Sequence, residues 1–81
     1  MTLHVRLFAR ARDLVGADAV AIELPPGATA GDLRRGLVER YPRLTGLLER
    51  SALAIDNEFA DDTRPLADGV EAAVLPPVSG G

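Results

Sequence analysis

The sequence predicts an α+β domain in which a mixed sheet packs on one main helix. Three observations predict it. Apolar residues alternate near both ends of the chain, as they do in half-buried strands, and one stretch between them carries apolar residues at helical spacing. At 81 residues the chain is long enough for one domain and too short for two.

The first strand is read from Leu3, Val5 and Leu7, which alternate with His4, Arg6 and Phe8. Phe8 then points away from the core. The charged and small residues from Ala9 to Asp18 read as a loop, leading to a second strand with Val20, Ile22 and Leu24 inward. Pro25, Pro26 and Gly27 stop that strand, so the two form an antiparallel pair with a long connection. Thr29 followed by Asp32 has the form of a capping box, and the acid suits the positive start of a helix beginning near Ala30.

Leu33, Leu37, Tyr41 and Leu44 mark one face of this helix, while Arg34, Arg35, Glu39 and Arg43 fall on others. It ends near Tyr41, because a proline at position 42 disfavours helical geometry in the residue before it. Gly36 inside the helix costs roughly 1 kcal/mol relative to alanine. It either lets the helix sit close to the sheet or is simply tolerated, and the second reading is preferred.

Leu44, Leu47 and Leu48 suggest one short helical turn before a buried strand from Ala52 to Ile55. Asp56, Asn57 and Glu58 turn the chain into a short strand around Phe59, too short to fix which way Phe59 faces. After a loop from Asp61 to Pro65, the Asp68-Gly69 turn introduces the segment Val70 to Leu75. With Glu71 facing water, Val70, Ala72 and Val74 face the core, and Ala73 and Leu75 point outward. The domain therefore occupies residues 1–75, and residues 76–81 form a flexible tail ending in Gly-Gly.

Composition removes several functional classes. Without cysteine there are no disulfides, thiolate metal sites or cysteine nucleophile, and the expected compartment is the cytoplasm. The net charge of −3 gives no support to nucleic-acid binding. No apolar run approaches the roughly 20 residues of a membrane span. All nine basic residues are arginine, so no lysine side chain can accept an acyl group from another copy. His4, the one histidine, lies on the polar side of a strand, and Asp61-Asp62 reads as solvated loop charge. Gly27 and Gly31 flank the helix start without the G-K-[ST] of a phosphate loop. No metal or bound cofactor is expected.

What remains is the tail, Pro76-Pro77-Val78-Ser79-Gly80-Gly81. The two prolines favour extended backbone that cannot continue a sheet ladder, so the last six residues can project about 20 Å from the domain. Gly80 and Gly81 remove side-chain bulk, which lets a chain end enter a narrow channel. A terminal carboxylate is ionised at neutral pH and can attack the α-phosphate of ATP to give an acyl-adenylate. Two consecutive glycines are only suggestive. Joined to the double proline and the order of elements, they are a strong signal.

The whole chain resembles the MoaD-like family, the small, sulfur-carrying subunits of molybdopterin synthase with a ubiquitin-like (β-grasp) fold. The likeness runs through Leu7-Phe8-Ala9 with Arg12, Leu14 and Gly16, the helix start from Thr29 to Leu37, Pro65-Leu66 with Asp68-Gly69, and above all the tail. Two departures are Val70, where the family usually has an acid, and Ile55-Asp56, where it usually has Val-Asn. The resemblance implies that Gly81 is the reacting residue, adenylated with ATP by a ubiquitin-activating-type adenylyltransferase. A sulfur donor then converts it to a thiocarboxylate. Pro76, Pro77, Val78, Ser79 and Gly80 would enter the active site of the large subunit, which holds the catalytic side chains. There the sulfur passes to cyclic pyranopterin to build molybdopterin, in a heterodimer or heterotetramer whose small subunit is itself non-catalytic. Family interface positions fall on Phe8, Arg12, Phe59 and Leu75. A thiamin-pathway sulfur carrier and a ubiquitin-like protein modifier are the alternatives, since both use the same adenylate.

Overall fold

The structure, a computed structural model, describes residues 1–77. Five strands form one mixed sheet: β1 (Thr2–Leu7), β2 (Ala19–Glu23), β3 (Ala52–Ile55), β4 (Glu58–Ala60) and β5 (Glu71–Leu75). They lie in the order β2-β1-β5-β3-β4, so the strands nearest the two ends of the chain sit side by side and parallel at the centre. All other pairings are antiparallel.

Alternation dictates which side of the sheet is covered. Leu3, Val5 and Leu7 on β1, Val20 and Ile22 on β2, Leu53 and Ile55 on β3, and Ala72 and Val74 on β5 all point one way and are buried. Against them packs α2 (Ala30–Arg40), whose Leu33 and Leu37 are wholly buried. Below it a 3-10 turn (Pro42–Leu44) and α3 (Thr45–Glu49) add Leu44, Leu47 and Leu48 to the same core. Val70, expected to face the core, packs against it while remaining partly exposed.

The start of α2 is fixed by its sequence. The Thr29 hydroxyl accepts from the Asp32 amide at 3.3 Å while the Asp32 carboxylate accepts from the Thr29 amide at 2.9 Å, a complete capping box. Ala30 and Gly31 donate their amides to the carbonyls of Arg64 and Asp62, which ties the 61–66 loop to the helix start. Tyr41 ends the helix with non-helical geometry before Pro42, as expected.

Two expectations are corrected. Residues 9–18 are not a loop, because Ala9–Val15 form a short helix, α1, closed by Gly16 at φ 83. Its start carries no capping side chain and no acid in the first turn, and Ala9 itself sits at φ 50, so the usual signals of a helix start are missing. Ala11 is buried, and Leu14 and Val15 pack on the core. Gly36, in turn, is more than tolerated. A Cβ there would stand 3.2 Å from Ile22 Cγ2 and 3.4 Å from Leu24 Cδ2, so the glycine lets α2 approach β2 closely.

Candidate functional site: the open face of the sheet

The helices cover one face only, and the register across β1, β5, β3 and β4 determines what the other face displays. Arg6 is opposite Ala73, Ala73 opposite Ala54, and Ala54 opposite Phe59, so these four residues form one row across the uncovered face. One step along, Leu75 is opposite Ala52, and Phe8 follows Leu7, the partner of Val74. The two rows place Phe8, Leu75 and Phe59 around a shallow depression floored by Ala54 and Ala73, with a volume of about 250 Å³. Arg6 and Glu71 bring opposite charges to its rim.

Phe8 is 42% exposed and Phe59 is 79% exposed, the two exposed large apolar side chains among the described residues. Their presence on one side of one sheet, around alanines that leave room between them, is the mark of a surface that meets another apolar surface. The hairpin that delivers Phe59 is local: Asp56 and Asn57 both take positive φ, 49° and 67°, the geometry of a tight two-residue turn. Asp56 also binds the neighbouring strand, its amide donating to the Glu71 carbonyl (2.8 Å) and its carboxylate accepting from the Glu71 amide (3.0 Å).

The structure brings together three of the four expected interface residues. Arg12 lies outside the depression, one turn along α1 from Phe8, with its guanidinium 3.9 Å from the Asp18 carboxylate. Pro76 and Pro77 continue from β5 without joining the sheet. Because Val74 is opposite Leu7, they leave beside Phe8. Val78, Ser79, Gly80 and Gly81 lie outside the described residues. Alternation had already turned Ala73 outward; the floor position of Ala54 was missed, because it is visible only once the strands are aligned.

Elsewhere the charged groups hold the scaffold together. The Asp32 carboxyl is held below its ordinary range, first by the Thr29 amide. Asp61 is lowered likewise, first by the Thr63 hydroxyl at 2.7 Å. Among the described residues no three His, Cys, Asp or Glu side chains gather as a metal site would require, and no helix is long and apolar enough to cross a membrane.

Known proteins of the same shape carry informative names. The chain is 32% identical to the molybdopterin synthase sulfur carrier subunit of Chlamydomonas reinhardtii, with 100% of both chains covered. The crystal structure of SAMP1 from Haloferax volcanii superposes with a TM-score of 0.89 at 28% identity, again over 100% of both chains. A chain from the complex of subunits 1 and 2 of the molybdopterin-converting factor of Helicobacter pylori matches at a TM-score of 0.71 and 27% identity, over 100% of both. These likenesses and the sheet order make the fold a ubiquitin-like β-grasp. With the family's model matched over residues 5–81, the chain belongs to the ThiS family.

Proposed function

We infer that this chain is a cytosolic sulfur carrier serving molybdopterin synthesis. The observation that carries the reading is its full-length similarity to proteins named as molybdopterin synthase sulfur carrier subunits. The exposed apolar face beside the exit of the tail supports it, since a carrier must dock and deliver its end in one event. In the proposed cycle a Gly81 carboxylate oxygen attacks the α-phosphorus of ATP on an activating adenylyltransferase, and pyrophosphate leaves. Sulfide-level sulfur (HS−) delivered by a donor then attacks the acyl carbon, the C–O bond to AMP breaks and AMP leaves, and with loss of a proton the chain ends in a thiocarboxylate. The large subunit receives the tail from Pro76 to Gly80 and directs the sulfur to cyclic pyranopterin. This chain contributes the nucleophilic sulfur and the fit, and its partner the catalytic side chains.

Intact-mass analysis after incubation with ATP, an activating enzyme and a sulfur source tests the first half. The expected product has one oxygen replaced by sulfur, and deletion of Gly81 abolishes it without shifting Tm appreciably. Sulfur incorporation that survives the deletion would overturn the assignment of Gly81. Adding the large subunit and cyclic pyranopterin tests the second half, and thiazole formation with thiamin-pathway enzymes serves as the contrast.

A second reading is favoured by the match to SAMP1, a small archaeal modifier protein. The same adenylate could form an amide with a lysine on a target. Conjugates in cell extract distinguish this outcome. With no lysine in the 81 residues, those conjugates would contain no lysine-linked chains of this protein.

A further inference from the structure

Arg34 makes three hydrogen bonds to groups outside its own helix, and the proposed chemistry does not use it. It projects from α2 with its side chain 22% exposed. Its Nε donates to Asp62 Oδ1 at 3.2 Å. Its Nη1 donates to the carbonyl of Ser51 at 3.0 Å and to the carbonyl of Leu48. These carbonyls lie at and just beyond the C-terminal end of α3, where the backbone carries partial negative charge, so a guanidinium there is favourable. Ser51 is itself buried, and its hydroxyl donates to the Leu47 carbonyl at 2.7 Å.

The consequence lies one residue further on. Ser51 leads directly into β3, whose first residue, Ala52, is paired with Leu75, the last residue of β5 before the prolines. In an antiparallel ladder, mutually bonded pairs recur every second residue. Counted from Asp56–Glu71, where the Asp56 amide bonds the Glu71 carbonyl, the bonded pairs are Ala54–Ala73 and then Ala52–Leu75. The final ladder contact of the tail-bearing strand is therefore made to the residue next to the carbonyl that Arg34 holds.

We propose that Arg34 is a positioning residue for the C-terminal tail. It fixes the α3–β3 junction, the junction fixes Ala52, and Ala52 fixes the point and direction at which Pro76 leaves the sheet. This deepens the sulfur-carrier reading and rests on it for its functional consequence, whereas the structural anchoring stands without it. Arginine suits the position because its rigid planar fork donates from two separate nitrogens, Nε to Asp62 and Nη1 to the backbone carbonyls, whereas a lysine ammonium offers its donors from a single point on a flexible stem.

The test compares Arg34→Ala and Arg34→Lys with Arg35→Ala, which removes only a surface pair with Asp32. Amide hydrogen exchange in the full chain is the first readout. Both Arg34 variants are expected to speed exchange at Ala52 and Leu75 at least tenfold more than at Ala54 and Ala73. A general loss of stability would raise all four alike and would overturn the proposal, and the lysine variant keeps the test valid if the alanine variant does not fold. The second readout is sulfur transfer from the thiocarboxylate form to cyclic pyranopterin with the large subunit. Misplacement by about 1 Å can cost on the order of a hundredfold in rate, so kcat falls at least tenfold. KM for the carrier stays within about twofold, because the open face is untouched. An unchanged kcat would refute the positioning role. If the wild type transfers no sulfur, the carrier reading fails, and the exchange pattern alone decides whether Arg34 anchors the exit.

Discussion

The two faces of the sheet are built from the same strands and yet obey different rules. On the covered face Val5, Leu53 and Val74 are completely buried and share one core with the helix residues Leu33 and Leu37. On the open face Phe8 and Phe59 are exposed around alanines, although a small domain gains nothing in its own stability from exposed phenylalanines. The first face is arranged for folding; the second, under the proposed function, serves an encounter. A strand separates these two tasks by one residue step, and the comparison is sharpest on β5, where neighbours point in opposite directions.

Val74 and Leu75 therefore provide the largest expected contrast. Val74→Arg places an unpaired charge in the core and is expected to cost about 3–5 kcal/mol, enough to leave much of the population unfolded in a domain this small. Leu75→Arg is expected to cost less than about 1 kcal/mol in denaturant titration. Under the proposed function it is expected to weaken association with a large subunit roughly a hundredfold, because the charge would be desolvated at the interface. If Leu75→Arg unfolds the chain, or binds its partner normally, the division of labour between the faces is wrong.

A smaller contrast lies within α2, between two glycines that touch different kinds of neighbour. A Cβ on Gly31 would stand 3.1 Å from the Asp62 carbonyl oxygen, a backbone atom tied to the Gly31 amide. At Gly36 the neighbours are the ends of the Ile22 and Leu24 side chains, which can shift. Alanine gains about 1 kcal/mol in helix propensity at either site. At Gly31 overpacking of about 1–3 kcal/mol outweighs it, so Gly31→Ala lowers Tm by several degrees, whereas Gly36→Ala falls within about 0.5 kcal/mol of neutral. Equal losses at both would show that α2 cannot adjust its distance from β2.

The smallest effect is the pH dependence of the cap that begins α2. Asp32 has a lower pKa folded than unfolded, so its contribution is complete above the unfolded value of about 3.9 and is lost as pH falls through the folded one. The Tm difference between wild type and Asp32→Ala is expected to be constant near neutrality and to shrink below about pH 4. A gap that persists in acid would show that the charge of Asp32 is immaterial to the cap.

What the sequence could disclose followed from how local each interaction is. Strands with a buried face announce themselves by alternation, so the outward placement of Phe8 and Leu75 is legible in the sequence alone. The start of α2 was legible because Thr29 and Asp32 satisfy each other within one turn. Phe59 was not, because its orientation depends on pairing with Ala54 across a hairpin whose strand is three residues long. Helix α1 was hidden by the absence of a cap, with Gly16 its one local signal. Gly36 was misjudged because the atoms that crowd it belong to another element. The depression itself depends on the alignment of β1 with β5, residues nearly a whole chain apart.

That alignment also orders events in time. Pairings between distant residues form slowly, since loop closure must precede them, and β5 is synthesised after every strand it joins. Until it inserts between β1 and β3, the sheet is split into two separate hairpins, and the strand carrying the tail has no fixed place. An activating enzyme that reads both the sheet surface and the chain end would thus recognise only molecules that have completed folding. Under the sulfur-carrier reading, the central position of the last strand would act as an inspection step, withholding Gly81 from the activating enzyme until the chain has folded.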